Sequence, residues 1–283
     1  MKTIGFVDYY LSEWHANNYV GWIDECNKEL GTDYKVAYAW AETHVSPKNG
    51  ETTAQWCEKY GVTPCETIDE LCEKADVILI LAPSDPHKHL PYAKKVFPYG
   101  KRVYVDKTFA PDLETAKEIF ALAAQYNTPF FSTSALRYAE ELKDCQNVQN
   151  LLLTGGGGSA EEYIVHQAEN AIRLLGTGNK LVVAYNQGNQ IVFQVDCENG
   201  KKATLTYAPP LPFTACWAAE GEKDQYKALK SDYFHCLICD ILRFYESGKP
   251  SFDGTETLAV MALRDALLEA ASNPWLEVPT KSI

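Results

Sequence analysis

The stretch Ala75–Tyr138, ADVILILAPSDPHKHLPYAKKVFPYGKRVYVDKTFAPDLETAKEIFALAAQYNTPFFSTSALRY, decides how this chain folds. An apolar run, Val77 to Leu81, breaks into a proline-rich turn over Ala82 to Pro86. A helical pattern follows, then a second short run, Arg102 to Val105, which delivers Asp106, Lys107 and Thr108 at its end. Another helical pattern and a third run near Pro129 to Phe131 complete a β-α-β-α-β series, the pattern of a parallel sheet with helical crossovers. Ligands bind such sheets outside the carboxyl ends of the strands. Ser84, His87 and Lys107 fall there.

Three segments, APSDPH (82–87), GKRVYVDKT (100–108) and ALRY (135–138), resemble the glucose-fructose oxidoreductase/inositol dehydrogenase (Gfo/Idh/MocA) family of NAD(P)-dependent sugar oxidoreductases. Members carry TPN-x-x-H, GKHV-x-x-EKP and R-[FY] in that order and at that spacing. The resemblance implies an α/β Rossmann-like domain with a parallel sheet over 1–130. A smaller α+β domain with an open, mostly antiparallel sheet would follow over 131–283, its C-terminal helices able to pack back on the first. It further implies hydride transfer between NAD or NADP and a hydroxyl of a sugar, cyclitol or related polyol. Lys107 would contact that hydroxyl, stabilise the developing alkoxide and lie near the nicotinamide, a role that suits a buried ammonium. The reading of Lys107 as a structural partner of Asp106 stands beside it.

Departures from the family pattern concentrate at the cofactor. Thr3 to Val7 is a first strand, and a G-x-G-x-x-G turn should follow it, so that the backbone can approach the pyrophosphate at a helix N-terminus. Asp8, Tyr10 and Glu13 occupy the three glycine positions. As an ordinary strand–turn–helix, the segment would cap its helix with Asp8 or Ser12. Trp40 stands where an acidic ribose ligand belongs, with Glu42 two residues on. Thr108 replaces the proline after the lysine, where a cis bond would cost about 2.5–4 kcal/mol. The cofactor contacts implied are Asp8, Tyr10, Ser84, His87 and Lys107. The alternative function is a family member that has lost dinucleotide binding and serves as a ligand-binding or regulatory protein, or as a non-redox enzyme.

In the second half, SAEEYIVHQAENAIRLLG matches the family's D-x-x-x-H-x-x-D helix with Glu162, His166 and Glu169. Offsets of four and three put them on one helical face. The resemblance implies that His166 accepts the hydroxyl proton beside Glu162, with Glu169 and Arg137 binding substrate. A solvated or core histidine with charged neighbours is the competing account. Leu181–Tyr185, Gln190–Cys197, Lys202–Tyr207 and Phe213–Ala219 alternate as strands, with an Asn199-Gly200 hairpin signal. The family's sheet face commonly forms an interface, which implies a homodimer or homotetramer. His15 reads as a packing residue. His235, Cys236 and Cys239 in FHCLICDILRFY form a single C-x-x-C in a helical pattern, which points to packing rather than metal.

Twenty-six basic against thirty-eight acidic residues give a net charge of −12. That balance argues against nucleic acid and anionic membranes as partners. No apolar run reaches membrane-spanning length and no signal-peptide layout opens the chain. Nine scattered cysteines suggest reduced, mostly buried thiols and a cytoplasmic location.

Overall fold

The computed structural model describes residues 1–219, 221 and 223–283. In chain order the elements are β1 (Lys2–Asp8), α1 (Trp14–Leu30), β2 (Tyr34–Ala41), α2 (Thr53–Tyr60), β3 (Thr63–Pro64), α3 (Ile68–Lys74), β4 (Val77–Ile80), α4 (His89–Val96), β5 (Arg102–Val105), α5 (Leu113–Tyr126) and β6 (Phe130–Phe131). Then come β7 (Val148–Gly155), α6 (Ala160–Leu175), β8 (Asn179–Gln187), β9 (Gln190–Cys197), β10 (Lys202–Tyr207), β11 (Thr214–Ala219), β12 (Gln225–Ala228), α7 (Tyr233–Ser247), α8 (Gly254–Ser272) and β13 (Val278–Pro279).

These elements form two units, residues 1–133 with 235–251, and residues 134–234 with 252–283. The first crossing falls at Thr133/Ser134, and most of α7 belongs to the first unit, so neither unit matches a contiguous 1–130 or 131–283 span. Tyr245 of α7 shows why. It is fully buried, and its hydroxyl donates to the Ile78 carbonyl of β4 at 2.7 Å. Arg102 at the start of β5 donates to the Tyr245 carbonyl, and Lys2 pairs with Glu246 at 2.7 Å.

The first unit is a six-stranded parallel sheet in the order β3-β2-β1-β4-β5-β6, the Rossmann-like α/β arrangement. Val77–Ile80 is buried throughout, as a central parallel strand covered on both faces must be. The helices start on side-chain caps: Thr52 and Gln55 make a reciprocal capping box on α2, Thr67 caps α3 and Asp112 caps α5. At α1 the cap is Glu13, not Asp8 or Ser12.

The second unit is a seven-stranded mixed sheet, β12-β11-β7-β10-β9-β8-β13, in which only β7 and β10 pair in parallel among the described residues. The β9–β10 connection turns at Asn199 and Gly200, both with positive φ, as the Asn-Gly signal predicts. Helices α6 and α8 share one core with the inner face, through Ile164, Ala168, Ile172, Leu263 and Leu267 against Val182, Phe193 and Leu205.

Tyr245→Phe removes the buried hydroxyl and its hydrogen bond to Ile78 O. We expect a loss of about 1 kcal/mol, read as a lower urea midpoint with an unchanged slope.

Candidate functional site

At the ligand edge of the first unit, β1, β4 and β5 end side by side: Leu81 N donates to Val7 O at 2.8 Å and Asp106 N to Ile80 O at 2.9 Å. The Asp8 side chain is fully buried there, its Oδ1 accepting from Tyr9 N at 2.7 Å and from Ala82 N at 3.0 Å. Ala82 has φ +64°, a left-handed conformation that a residue with a Cβ adopts at a cost of about 1–3 kcal/mol. Such strain collects at functional sites. Burial, and then the Glu13 charge, push the Asp8 carboxyl well above its ordinary value.

Glu13 is buried and turns its carboxylate onto its own helix, accepting from His15 N at 2.8 Å and from Ala16 N. Burial raises its carboxyl, against the pull of His15 and the two amides. The His15 ring then reaches across to β5: Nδ1 lies 2.5 Å from Asp106 Oδ2 and 3.0 Å from the Tyr19 hydroxyl. Burial alone would raise Asp106, but the His15 charge and hydrogen bond, with Lys107, hold it below the usual carboxylate range. His15 is thus packed, as the sequence suggests, and also hydrogen-bonded to Asp106. The residues between, Tyr10, Leu11 and Ser12, are buried. An excursion from β2 covers them, with Ser12 Oγ donating to Glu51 at 2.5 Å and Ser46 Oγ to Ser12 O at 3.2 Å.

Lys107 is half-buried, and its peptide bond to Thr108 is cis. Asp106 Oδ1 accepts the Lys107 backbone N–H at 2.8 Å while Oδ2 holds His15, and the Lys107 ammonium donates instead to Pro83 O at 2.9 Å. No salt bridge joins Lys107 to a carboxylate among the described residues. Ser84 and His87 are on the turn that follows β4, and both are exposed. His89, two residues beyond His87, is fully buried with its ring nitrogens 2.9 Å from Phe109 O and 2.6 Å from Leu81 O, and burial lowers its pKa. Glu42, the substitute ribose ligand, is engaged by Lys88 at 2.7 Å and by the Tyr92 hydroxyl.

In the second unit the three α6 residues part company. Glu169 is buried and pairs with Arg137 at 2.9 Å; the other guanidinium nitrogen meets Glu256 at 2.5 Å, and the Phe252 ring lies 3.8 Å beneath. Burial opposes the Arg137 charge, but the two carboxylates outweigh it and raise the pKa. Arg137 and Glu169 thus spend their charges on each other and on α8. His166 is half-buried, with Nδ1 2.7 Å from Ser134 Oγ and the Phe213 and Tyr163 rings at 5.5 and 5.7 Å. Glu162 is half-buried one turn before it. Ser134 carried no signal in the sequence.

The model described as "Oxidoreductase family, NAD-binding Rossmann fold" (GFO_IDH_MocA) matches residues 28–133. Over that stretch the chain is similar to the Gfo/Idh/MocA family. The match begins beyond the Asp8–Glu13 turn. A curated relative, "Uncharacterized oxidoreductase YhhX" of Escherichia coli (strain K12), is 32% identical over 85 residues, 30% of this chain and 25% of the relative's length. The aligned part thus spans about a quarter of that relative. Among solved structures, UDP-N-acetylglucosamine 3-dehydrogenase GnnA from Acidithiobacillus ferrooxidans is similar with a TM-score of 0.75 and 13% identity, over 95% of this chain and 97% of that one. A putative myo-inositol dehydrogenase from Sinorhizobium meliloti 1021 gives 0.73 and 13% over 99% and 100%. At such identities the likeness is one of fold.

The family's dinucleotide would rest its diphosphate on the α1 N-terminus. The residues present do not fit that pose. Glu13 already takes the helix amides, Tyr10 and Leu11 fill the turn, and Asp8 would face the phosphates. Removing that barrier has a measurable consequence. Glu13→Gln should raise affinity for NADH about tenfold by nicotinamide fluorescence, a change of about 1.4 kcal/mol, within the range of one removed like-charge contact.

Asp8 gives a pH signature. Its raised pKa means that the folded state holds the proton longer than the unfolded chain, so its contribution is full below the ordinary carboxylate value and is lost as pH rises through the folded pKa. Asp8→Asn should therefore gain stability relative to the natural chain at pH 8 and gain none at pH 4, as read from urea midpoints.

Proposed function

We propose that this protein works in the oxidoreductase class of its family, on a hydroxyl or carbonyl of a small sugar, cyclitol or related polyol. One observation carries the reading: the Lys107 ammonium sits at the carboxyl end of β5 on a carbonyl oxygen rather than on Asp106. An ammonium has three donors, so two are left for a ligand oxygen. An alkoxide developing there is what such a donor stabilises. His166 is the proton carrier in this reading, its Nδ1 2.7 Å from Ser134 Oγ, which orients the ring. Glu162 is the nearby carboxylate on the same helix.

A second reading is favoured by Glu13. A family member with its diphosphate seat closed by its own carboxylate would bind a polyol-like ligand without a dinucleotide. For a homodimer or homotetramer, the supporting feature is the outer row Tyr226–Cys216–Leu152 across β12, β11 and β7, where Tyr226 and Leu152 are exposed.

The test combines nucleotide titration with a screen of sugars and inositols for oxidation by NAD⁺ or NADP⁺ and reduction by their reduced forms. We expect turnover that Lys107→Ala and His166→Ala each abolish without lowering stability by more than about 1 kcal/mol, the scale of a surface-side substitution. Undiminished turnover in both variants would dispose of these assignments. No nucleotide binding up to millimolar, together with saturable binding of a polyol, would install the second reading.

A further inference from the structure

Away from the sheet's ligand edge, α1 and α7 bring four side chains together within the first unit. Cys26 and Glu29 stand three residues apart on α1, and His235 and Cys239 stand four apart on α7, so each pair shares one helical face. Cys26 and Cys239 are buried and joined as a disulfide, with Cα atoms 5.3 Å apart. That pairing corrects the expectation of reduced thiols throughout; the other seven cysteines form no disulfide. Cys236, the nearer partner in the C-x-x-C, stays outside the cluster.

The two sulfurs and a ring nitrogen lie within 4.8 Å of one another, Cys26 Sγ standing 3.6 Å from His235 Nδ1. His235 Nε2 lies 3.5 Å from Cys239 Sγ, 3.9 Å from Cys26 Sγ and 2.8 Å from Glu29 Oε2. Zinc bound tetrahedrally with Zn–S near 2.3 Å and Zn–N near 2.0 Å separates sulfur from nitrogen by about 3.5 Å. Glu25 Oε2 stands 3.8 Å from the opposite nitrogen, Nδ1, where an outer carboxylate orients a ligating imidazole. Arg243 stands 3.8 Å from Glu29 and offsets one of the negative charges there. The Cys, His and carboxylate set is the borderline-soft chemistry that zinc takes and that magnesium or calcium does not.

The geometry points to a zinc-class site made of Cys26, Cys239 and His235, with Glu29 at its edge as the fourth ligand to be drawn in, and the disulfide is its oxidised form. Two equivalents of a small thiol reduce it: the sulfur–sulfur bond breaks, Cys26 and Cys239 each gain an electron and a proton, and the small thiols leave as their own disulfide. A divalent cation then displaces one proton from each cysteine and binds the two thiolates, the imidazole and the carboxylate. In either state α1 is tied to α7.

The full chain, reduced with a small thiol and freed of it anaerobically, is titrated with cobalt(II). We expect one cobalt per chain, with thiolate-to-cobalt charge-transfer absorption and the visible bands of a tetrahedral site, displaced by zinc. The oxidised chain, with seven titratable thiols of its nine, should show none of this. Cys26→Ser and Cys239→Ser should lose the charge-transfer band, Glu29→Gln should weaken binding while keeping it, and Cys236→Ser should change nothing. Reduced protein that takes up no stoichiometric cobalt overturns the proposal, as does the same band in Cys26→Ser. The comparison of reduced with oxidised protein needs no variant, so it decides the matter even where a serine variant fails to fold.

Discussion

Glu13 caps α1 with its own carboxylate, and the ligand edge of the parallel sheet is arranged around that contact. A helix N-terminus presents amides with no partner inside the helix, and in dinucleotide folds a bound phosphate supplies the anion. Here the chain supplies it, through His15 N and Ala16 N. A built-in anion stabilises the helix whether or not a ligand is bound, and a side-chain cap is worth about 1 kcal/mol. Glycines are then unnecessary, because no ligand backbone has to come close; Tyr10 and Leu11 are buried in the space instead. Burying Glu13 beside Asp8 and Asp106 would be costly without hydrogen-bond partners. His15 against Asp106 supplies one and fastens α1 to the end of β5.

The second unit handles buried charge in the same manner. Arg137 lies between Glu169 and Glu256 and ties α6 to the start of α8. Removing one member of such a cluster strands the others, at about 3–5 kcal/mol, so the group behaves as a structural clamp. Its existence changes what α6 can offer. Glu162, His166 and Glu169 share a helical face, but Glu169 is committed inward and His166 keeps a lighter contact with Ser134.

What the sequence made legible follows from how local each signal is. Val77–Ile80 and Arg102–Val105 are recognisable as strands because strands buried on both faces are continuous apolar runs. The Asn199-Gly200 hairpin is recognisable because its turn chemistry is carried by two adjacent residues. Long-range pairings were not legible. His15 and Asp106 are 91 positions apart, Arg137 and Glu169 are 32 apart, and nothing in either segment announces its partner. The return of α7 to the first unit follows from the family resemblance and not from any local signal: Tyr245 and Ile78 are 167 apart. Glu13 is hidden differently. Glutamate is an unusual N-cap, and Asp8 and Ser12, with shorter side chains that cap more often, carry the stronger local signal.

The two departures at the ligand edge act on different parts of a ligand. Closing the α1 N-terminus removes a seat for a doubly charged diphosphate. Placing Lys107 on Pro83 O, with Asp106 already engaged by His15, leaves ammonium donors for an oxygen atom one strand away. Had the edge simply lost its function, Asp106 would be the natural carboxylate to neutralise Lys107, since the two are adjacent and an unpaired half-buried charge costs free energy. Instead the carboxylate goes to a histidine from another element and the lysine is held by a carbonyl. That division of partners suits a neutral, hydroxyl-bearing ligand at β5, and it makes the fate of the nucleotide a separate question from the fate of the site.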